Sequence, residues 1–441
     1  MHGSVGAQGG MGRRVARNVG WLFASRGLAA VLSLAYLAIA ARSLGVTDFG
    51  RFALIVGAAQ VIATLVAFDT WQIIVQFGAR HLRNGDERGL AALLRGCAAL
   101  DAAGAALGIV LAALILGVWG DGLGISSTLH RATLIFTAAQ LLSIRSMPVG
   151  ILRLRDRYRV AAALDSVTPV ARFVGAVVAA TVHPTVQAFL AAWGAAEVLT
   201  ALTYWTATGR MGFLRGLTER GAGPRAIVRD NPGIVRFAIG SNLISSLNLS
   251  SKQLPLLLAG ATIGTAAAGA YRMSSQLAQG LTKVSQLTAR AYFPEVARAA
   301  GADGLESVGL MFRRSFTIAA AAGAVLFGLI ALLGPSILAI MGPGFVSAYP
   351  LLLWLAAAGC VDLMTVAFEP PLIVAHRAGR VMAVRLLGAC AMVSLALLLG
   401  QRLGTIGIGI GVLANSALVA LLLGVLTRRL LRPPGRGRSG A

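Results

Sequence analysis

The 441-residue sequence predicts an all-α polytopic membrane protein of about twelve transmembrane helices, arranged as two six-helix pseudo-symmetric lobes with both termini cytoplasmic. Three observations carry this. Apolar runs of about 20 residues or more recur along the whole chain, long enough to cross roughly 30 Å of hydrocarbon at about 1.5 Å per residue. Arginines crowd alternate loops. A weak internal repeat returns at about half the chain length.

Composition sets the class. Apolar residues make up 57% of the chain and charged residues 12%, against roughly 45–50% and about a quarter in a soluble domain. Disordered, collagen-like and ordinary soluble enzyme chains are thereby excluded. The formal charge of +23 raises nucleic-acid binding, but long apolar runs have no place on such a surface, and no nucleic-acid partner is expected.

Read between Gly, Pro and charge clusters, the spans fall at about 18–41, 51–76, 90–118, 128–151, 158–182, 184–206, 234–259, 265–290, 315–340, 349–375, 380–402 and 405–427. Inside a bilayer every backbone amide must be paired internally, and these Ala/Leu/Val/Gly-rich runs lack the alternation of barrel strands. The expected organisation is an N-terminal segment 1–17, an N-lobe 18–206, a basic linker 207–233, a C-lobe 234–427 and a basic tail 428–441. The first run follows Arg13, Arg14 and Arg17 like a signal peptide, but it is longer than a signal core and contains Arg26, so it reads as a retained span.

Orientation follows the positive-inside rule. With a cytoplasmic N-terminus, 27 basic residues fall on inside segments and four, Arg42, Arg51, Arg131 and Arg402, on outside ones. Eight remain within spans: Arg26, Arg145, Arg172, Arg236, Lys252, Arg272, Lys283 and Arg385. Six acids join them: Asp69, Asp101, Asp165, Glu197, Asp362 and Glu369. At about 2.5–3.5 kcal/mol each near the bilayer centre, facing them all to lipid would cost on the order of 40 kcal/mol. Arg236 and Arg385 lie near cytoplasmic ends and can snorkel. The others should face a hydrated interior or one another. Asp165 and Arg172 share a helix face about 10 Å apart along the axis, so their partners should come from other helices.

The repeat aligns LGVTDFGRFALIVGAAQ (44–60) with IGTAAAGAYRMSSQLAQ (263–279) at a shift of 219, matching Gly45 with Gly264, Gly50 with Gly269, Phe52 with Tyr271 and Gln60 with Gln279. A second echo pairs Pro148, Ile151 and Arg155 with Pro370, Ile373 and Arg377 at a shift of 222. An even number of spans per half makes this a parallel repeat, which suits halves that rock about a shared site.

Polar stripes mark the interior. The eighth span carries Arg272, Ser275, Gln276, Gln279, Thr282, Lys283, Gln286 and Arg290 on one face, and the seventh has Asn242, Ser245, Ser246, Lys252 and Gln253. Ser and Thr in such rows serve chiefly as interhelical glue, whereas a row of cations calls for something to neutralise. A cavity lined by Arg26, Arg145, Lys252, Arg272 and Lys283 would favour an anionic, phosphate-bearing substrate. Asp69, Asp101, Asp165, Glu197 and Asp362 are candidates for coupling Na+ or H+, since intramembrane carboxylates mark ion pathways. No other cofactor is expected.

Several chemistries are disfavoured. Cys97, Cys360 and Cys390 form no C-x-x-C pair, and the five histidines join no cluster at metal-ligand spacing. No P-loop occurs. The glycines of GTIGIGIG (404–411) read as close helix packing. The outer loops are too short for the acceptor domain of a polytopic glycosyltransferase or ligase, so no enzyme is expected.

The first two spans, RNVGWLFASRGLAAVLSLAYLAIAARSLGVTDFGRFALI, place an Arg in span one ahead of an A-R-x-L-G-x-x-D-F-G-x-[FY] pattern. With the repeat in span eight and the turn ILRLRDRYR (151–159), the chain resembles the polysaccharide transporter family, the O-antigen-type lipid-linked oligosaccharide flippases of the multidrug/oligosaccharidyl-lipid/polysaccharide exporter superfamily. The resemblance implies two six-helix lobes around a cationic cavity in the bacterial inner membrane. There an undecaprenyl-diphosphate-linked oligosaccharide would cross by alternating access, to supply lipopolysaccharide or exopolysaccharide synthesis. It also implies membrane lipid as a partner, with a polymerase and other polysaccharide-assembly proteins nearby. Arg26 matches the basic residue of span one in such flippases. The second copy departs from the pattern, reading Ala267-Ala268-Gly269 where the first has Asp-Phe-Gly. The alternatives are a multidrug–cation antiporter of the same superfamily and a membrane enzyme of glycan assembly.

Overall fold

The computed structural model describes residues 5–120, 125–214, 223–279, 305–365, 368, 372 and 378–431, with the side chains of 5–30, 119, 224, 248, 250, 251, 305–315, 318, 378, 430 and 431 outside that description. Among the described residues the chain is helical throughout, with no strand, and nine helices are long and apolar enough to cross a membrane. The protein is an all-α polytopic membrane protein. Its outward faces agree: Leu107, Val110, Leu114 and Val118 repeat at three- and four-residue steps along one exposed face of a helix, as Val170, Val174, Val178 and Val182 do on another. Such stripes would be an aggregation hazard in water and suit lipid.

Helix α1 (Val5–Val66) contains the first two expected spans, joined at a single break where Gly45 has φ 72° and ψ 175°. α2 (Thr70–Arg83) follows a three-residue interruption, so the second span is two pieces and extends beyond the expected limit at 76. α3 (Glu87–Trp119) starts on an N-cap, with Asp86 accepting from Gly89 N–H. The single fourth span expected at 128–151 is instead α4 (Ser127–Leu142) and α5 (Ser146–Leu154), and the fifth divides at Ser166 into α6 (Tyr158–Asp165) and α7 (Val167–Val182). None of the breaks at 67–69, 143–145 and 166 contains Gly or Pro, so composition gave no sign of them. α8 (Val186–Arg210) is unbroken. The linker holds a short helix, α9 (Pro224–Asp230), ahead of α10 (Ile234–Thr262). Then come α11 (265–279), α12 (Leu305–Met341), a 3-10 turn (Pro343–Ala348), α13 (Tyr349–Thr365), α14 (Ala378–Leu403) and α15 (Thr405–Leu431).

The chain forms two compact units. One comprises Met1–Leu44, Ala59–Gly120 and Ser126–Ser246; the other comprises Gly45–Ala58, Asp121–Ile125 and Leu247–Ala441. The unit change falls inside α1 and inside α10, not only between helices. In the first unit Ile73, Ile74, Leu93, Met147 and Ile151 are buried together where α2, α3 and α5 meet. In the second, Ala53 and Leu54 from the end of α1 are buried with Leu256, Ala268, Tyr271, Met392 and Ile408.

The repeat has a backbone counterpart. Gly45 and Gly264, matched at a shift of 219, are both at positive φ, 72° and 121°. Each ends a helix and admits the next one at once, a conformation that favours glycine. The second echo reaches Pro370, Ile373 and Arg377, which lie outside the described residues. Gly407, Gly409 and Gly411 pack closely, as their pattern suggested, whereas Gly404 turns the chain at φ 61° with nothing within 4 Å of its Cβ position. A Cβ on Gly407 would sit 2.2 Å from the carbonyl oxygen of Leu399 on α14, and one on Gly409 would be 2.9 Å from Trp354 Cβ on α13.

Candidate functional site

The first unit contains a polar centre built on one face of α8. Trp193, Glu197, Thr200, Tyr204 and Thr208 recur at three- and four-residue steps and are all buried. Glu197 lies about 16 Å along a helix of about 37 Å, close to its middle. Nothing apolar can satisfy a carboxylate there.

The break between α4 and α5 supplies one partner. Ser143 folds its hydroxyl back onto the Ala139 carbonyl at 2.5 Å, and the Trp205 indole N–H donates to Ile144 O at 2.7 Å. The freed backbone is thus paired from within the lobe, as a membrane demands. Arg145, the next residue, reaches Glu197 with Nη1 2.7 Å from Oε2. Arg172 on α7 approaches the other oxygen, with Nη2 2.7 Å from Oε1, and its guanidinium lies 5.6 Å from the Trp193 ring centroid. Two guanidiniums therefore share one carboxylate, leaving a net charge of +1. The Arg172 side chain is 17% exposed and its Nε has no hydrogen-bond partner, whereas Arg145 remains 37% exposed. Arg145 is therefore the member with donors free to meet an incoming anion.

Below it on α8, the Tyr204 hydroxyl donates to Asp165 Oδ1 at 2.6 Å, and Thr168 and Thr200 hydroxyls are 2.9 Å apart. Asp165 and Arg172 thus take their partners from α8 and not from each other.

A second polar group surrounds the 67–69 break. Asp69 holds a left-handed backbone (φ 45°), and its carboxylate accepts from the Ser245 hydroxyl and, at 3.3 Å, from Gln72 Nε2. Asp101 is buried and accepts from Thr70 Oγ1 at 2.8 Å. The Asn242 amide donates to the carbonyls of Thr64 (3.2 Å), Leu65 (3.4 Å) and Ala67, covering the end of α1 from α10. The basic turn after α5 is partly folded inward: the Arg153 guanidinium lies 4.0 Å over the Trp71 ring, and Arg155 lies 5.1 Å over Phe213 and 3.6 Å from Glu87.

Of the five expected cavity cations, Arg145 belongs to this first unit. Lys252, exposed on α10, and Arg272, half-buried on α11, belong to the second. The Arg26 side chain and Lys283 lie outside the described residues, as do Thr282, Gln286 and Arg290 of the eighth-span stripe and Glu369. Within the described part of that stripe, Ser275, Gln276 and Gln279 share Arg272's half-buried state, and the Ser275 hydroxyl donates back to Arg272 O at 3.0 Å. Asp362 is half-buried on α13.

Arg172, Trp193 and Tyr204 were not singled out from sequence as site residues. The signal was present: Trp, Glu, Thr, Tyr and Thr at i, i+4, i+7, i+11 and i+15 from 193 is a polar and aromatic row on an otherwise apolar helix. Among the described residues no group of three or more His, Cys, Asp or Glu could hold a metal ion, and all three cysteines are free.

The family model for "Polysaccharide biosynthesis protein" matches residues 15–299. The inner membrane protein YghQ of Escherichia coli (strain K12) is 24% identical over 289 residues, covering 65% of this chain and 81% of its own length. An inward-facing multidrug resistance MATE family transporter of the MOP superfamily is similar in structure with TM-score 0.69 at 14% identity, over 91% of this chain and 94% of that one. The lipid II flippase MurJ, inward closed, gives TM-score 0.71 at 11% identity, over 92% and 87%. The likeness to these two structures is one of fold. With its family model spanning more than half of the sequence, the chain belongs to the polysaccharide biosynthesis protein family and is a multi-pass membrane protein.

Proposed function

We propose that the protein moves an anionic lipid-linked oligosaccharide, of the undecaprenyl-diphosphate type, across the bacterial inner membrane by alternating access, supplying cell-surface polysaccharide synthesis. Both termini and the linker 207–233 face the cytoplasm, where the basic loops hold them. The observation that carries this reading is the Arg145–Glu197–Arg172 cluster, a half-exposed net positive charge near the middle of a transmembrane helix. A single carboxylate already neutralises part of two guanidiniums, so an entering phosphate competes with Glu197 for Arg145. Such competition lets the site hold the substrate and also release it. The family match and the MurJ-like fold support the same substrate class, and the sequence offers Arg26, Lys252, Arg272 and Lys283 as further cations for an anionic substrate.

The test replaces the chromosomal gene with Arg145→Gln, Arg272→Gln or Lys252→Gln and measures surface polysaccharide alongside membrane insertion. Loss of export in an inserted Arg145→Gln protein is expected. Normal export from the triple variant would overturn the site. The multidrug–cation antiporter reading draws support from the MATE-like fold and the carboxylates Asp69 and Asp101, which would carry Na+ or H+. Drug resistance on overexpression, without loss of surface polysaccharide on deletion, would favour it.

A further inference from the structure

The turn between α2 and α3 and the linker helix α9 meet at one buried imidazole. His81, 6% exposed near the end of α2, places Nδ1 2.7 Å from Asp86 Oδ2 and Nε2 3.0 Å from Asn231 Oδ1. The amide orientation of Asn231 is fixed by its other contact: Nδ2 donates to Ile227 O at 3.0 Å, and a carbonyl only accepts. The atom facing His81 is therefore the amide oxygen. Asp86 is held as a carboxylate, since Gly89 N–H donates to its Oδ1 at 2.8 Å and, with the His81 contact, keeps its pKa below the usual 3.8. Both ring nitrogens of His81 thus face acceptors, which only the doubly protonated imidazolium can satisfy.

The geometry points to a proton-operated latch, in which protonated His81 fastens the linker helix α9 to the α2–α3 turn and loss of one ring proton releases it. A neutral ring has one N–H, so one of the two contacts becomes lone pair against lone pair. The charged residues next in the chain to these contacts are Arg80 and Arg83 on α2, Asp86 in the turn, Glu87 and Arg88 at the start of α3, and Arg229 and Asp230 on α9, with Arg155 after α5 3.6 Å from Glu87. Arg80 also donates to the Asp230 carbonyl, and Arg229 pairs with the Asp230 carboxylate at 3.2 Å. The sign is set by His81: the latch is closed on the acid side and opens as pH rises. α9 continues through Asn231–Gly233 directly into α10, so the latch sets how firmly the entry to α10 is tied to α2 and α3. It does not depend on what the protein transports.

The experiment is hydrogen–deuterium exchange on the full chain in detergent from pH 5.5 to 8.5, with each rate divided by its intrinsic rate at that pH. Protection of the peptide covering 224–232 should fall about fivefold over this range, the effect of losing one hydrogen bond of ordinary strength. His81→Gln should remove the pH dependence. Asp86→Asn should do the opposite of simple weakening: its amide keeps the cap on Gly89 and donates to Nδ1 of a neutral ring, so the latch stays closed at pH 8.5. An unchanged wild-type protection across the range, or an Asp86→Asn profile that follows wild type, would overturn the latch. Peptides from α13 report whether each variant is folded.

Discussion

Gly50 on α1 and Gly269 on α11, matched at a shift of 219 residues, lie backbone against backbone in the second unit. A Cβ on Gly269 would come 3.1 Å from Gly50 N and 2.3 Å from Val46 O; one on Gly50 would come 3.0 Å from Gly269 N and 1.8 Å from Thr265 O. The two helices therefore touch at the positions that the repeat equates, and each glycine is required by the other's backbone. Phe49, one residue earlier, packs edge-on against Phe345 with ring centroids 5.6 Å apart.

Adding a methyl group at this crossing should be among the most damaging single changes in the chain. Gly50→Ala is expected to cost more than about 4 kcal/mol, because the obstruction is backbone that cannot turn aside. Gly45→Ala meets nothing within 4 Å of its Cβ and carries only the strain of its backbone conformation, about 1–3 kcal/mol. Monodisperse yield by fluorescence-detected size exclusion, followed by thermal unfolding, checks the ranking. Equal tolerance of the two would contradict the close approach.

Removing the shared carboxylate should hurt more than removing either cation. Glu197→Ala leaves Arg145 and Arg172 facing each other without a counter-charge, an expected loss of about 3–5 kcal/mol. Arg145→Gln leaves the Arg172–Glu197 pair whole and should cost distinctly less, while abolishing transport on the proposed mechanism. Thermal melting of the two variants separates these effects. A Glu197→Ala melting point at or above that of Arg145→Gln would refute the shared-carboxylate account.

Asn242 covers three carbonyls where α1 ends. Replacing it with Leu keeps the volume and strands those acceptors in apolar surroundings, at about 1–3 kcal/mol. Exchange should quicken first in α2, whose start depends on the 67–69 break, before the amides of α8 respond. Uniform loss across both helices would argue that Asn242 has no local role.

Asp86 caps α3, and Asp86→Ala should cost about 1 kcal/mol. The carboxyl has a folded pKa below its ordinary 3.8, through the Gly89 N–H and then His81. Its contribution is therefore full above the unfolded value and is lost as pH falls through the folded one. The wild-type advantage over Asp86→Ala should persist from neutrality to about pH 4 and shrink below it, as read from melting points across that range.

Sequence alone determined the membrane class, the helical backbone and most span limits, with the third, sixth, eleventh and twelfth spans within about four residues of the helices found. It also carried the glycine repeat and the close packing of 407–411. These follow from hydropathy and from residues whose backbone demands are local. Tertiary structure decided where helices break without Gly or Pro, because Asn242 and Trp205 stabilise those breaks from 175 and 61 residues away. It also decided which charges pair. Arg145 and Glu197 are 52 residues apart, and Glu197 recruits Arg172 from a third helix. A lone ionisable residue in an apolar run announces that it needs a partner, but helix packing alone selects the partner, since the choice depends on which faces are brought within hydrogen-bonding distance.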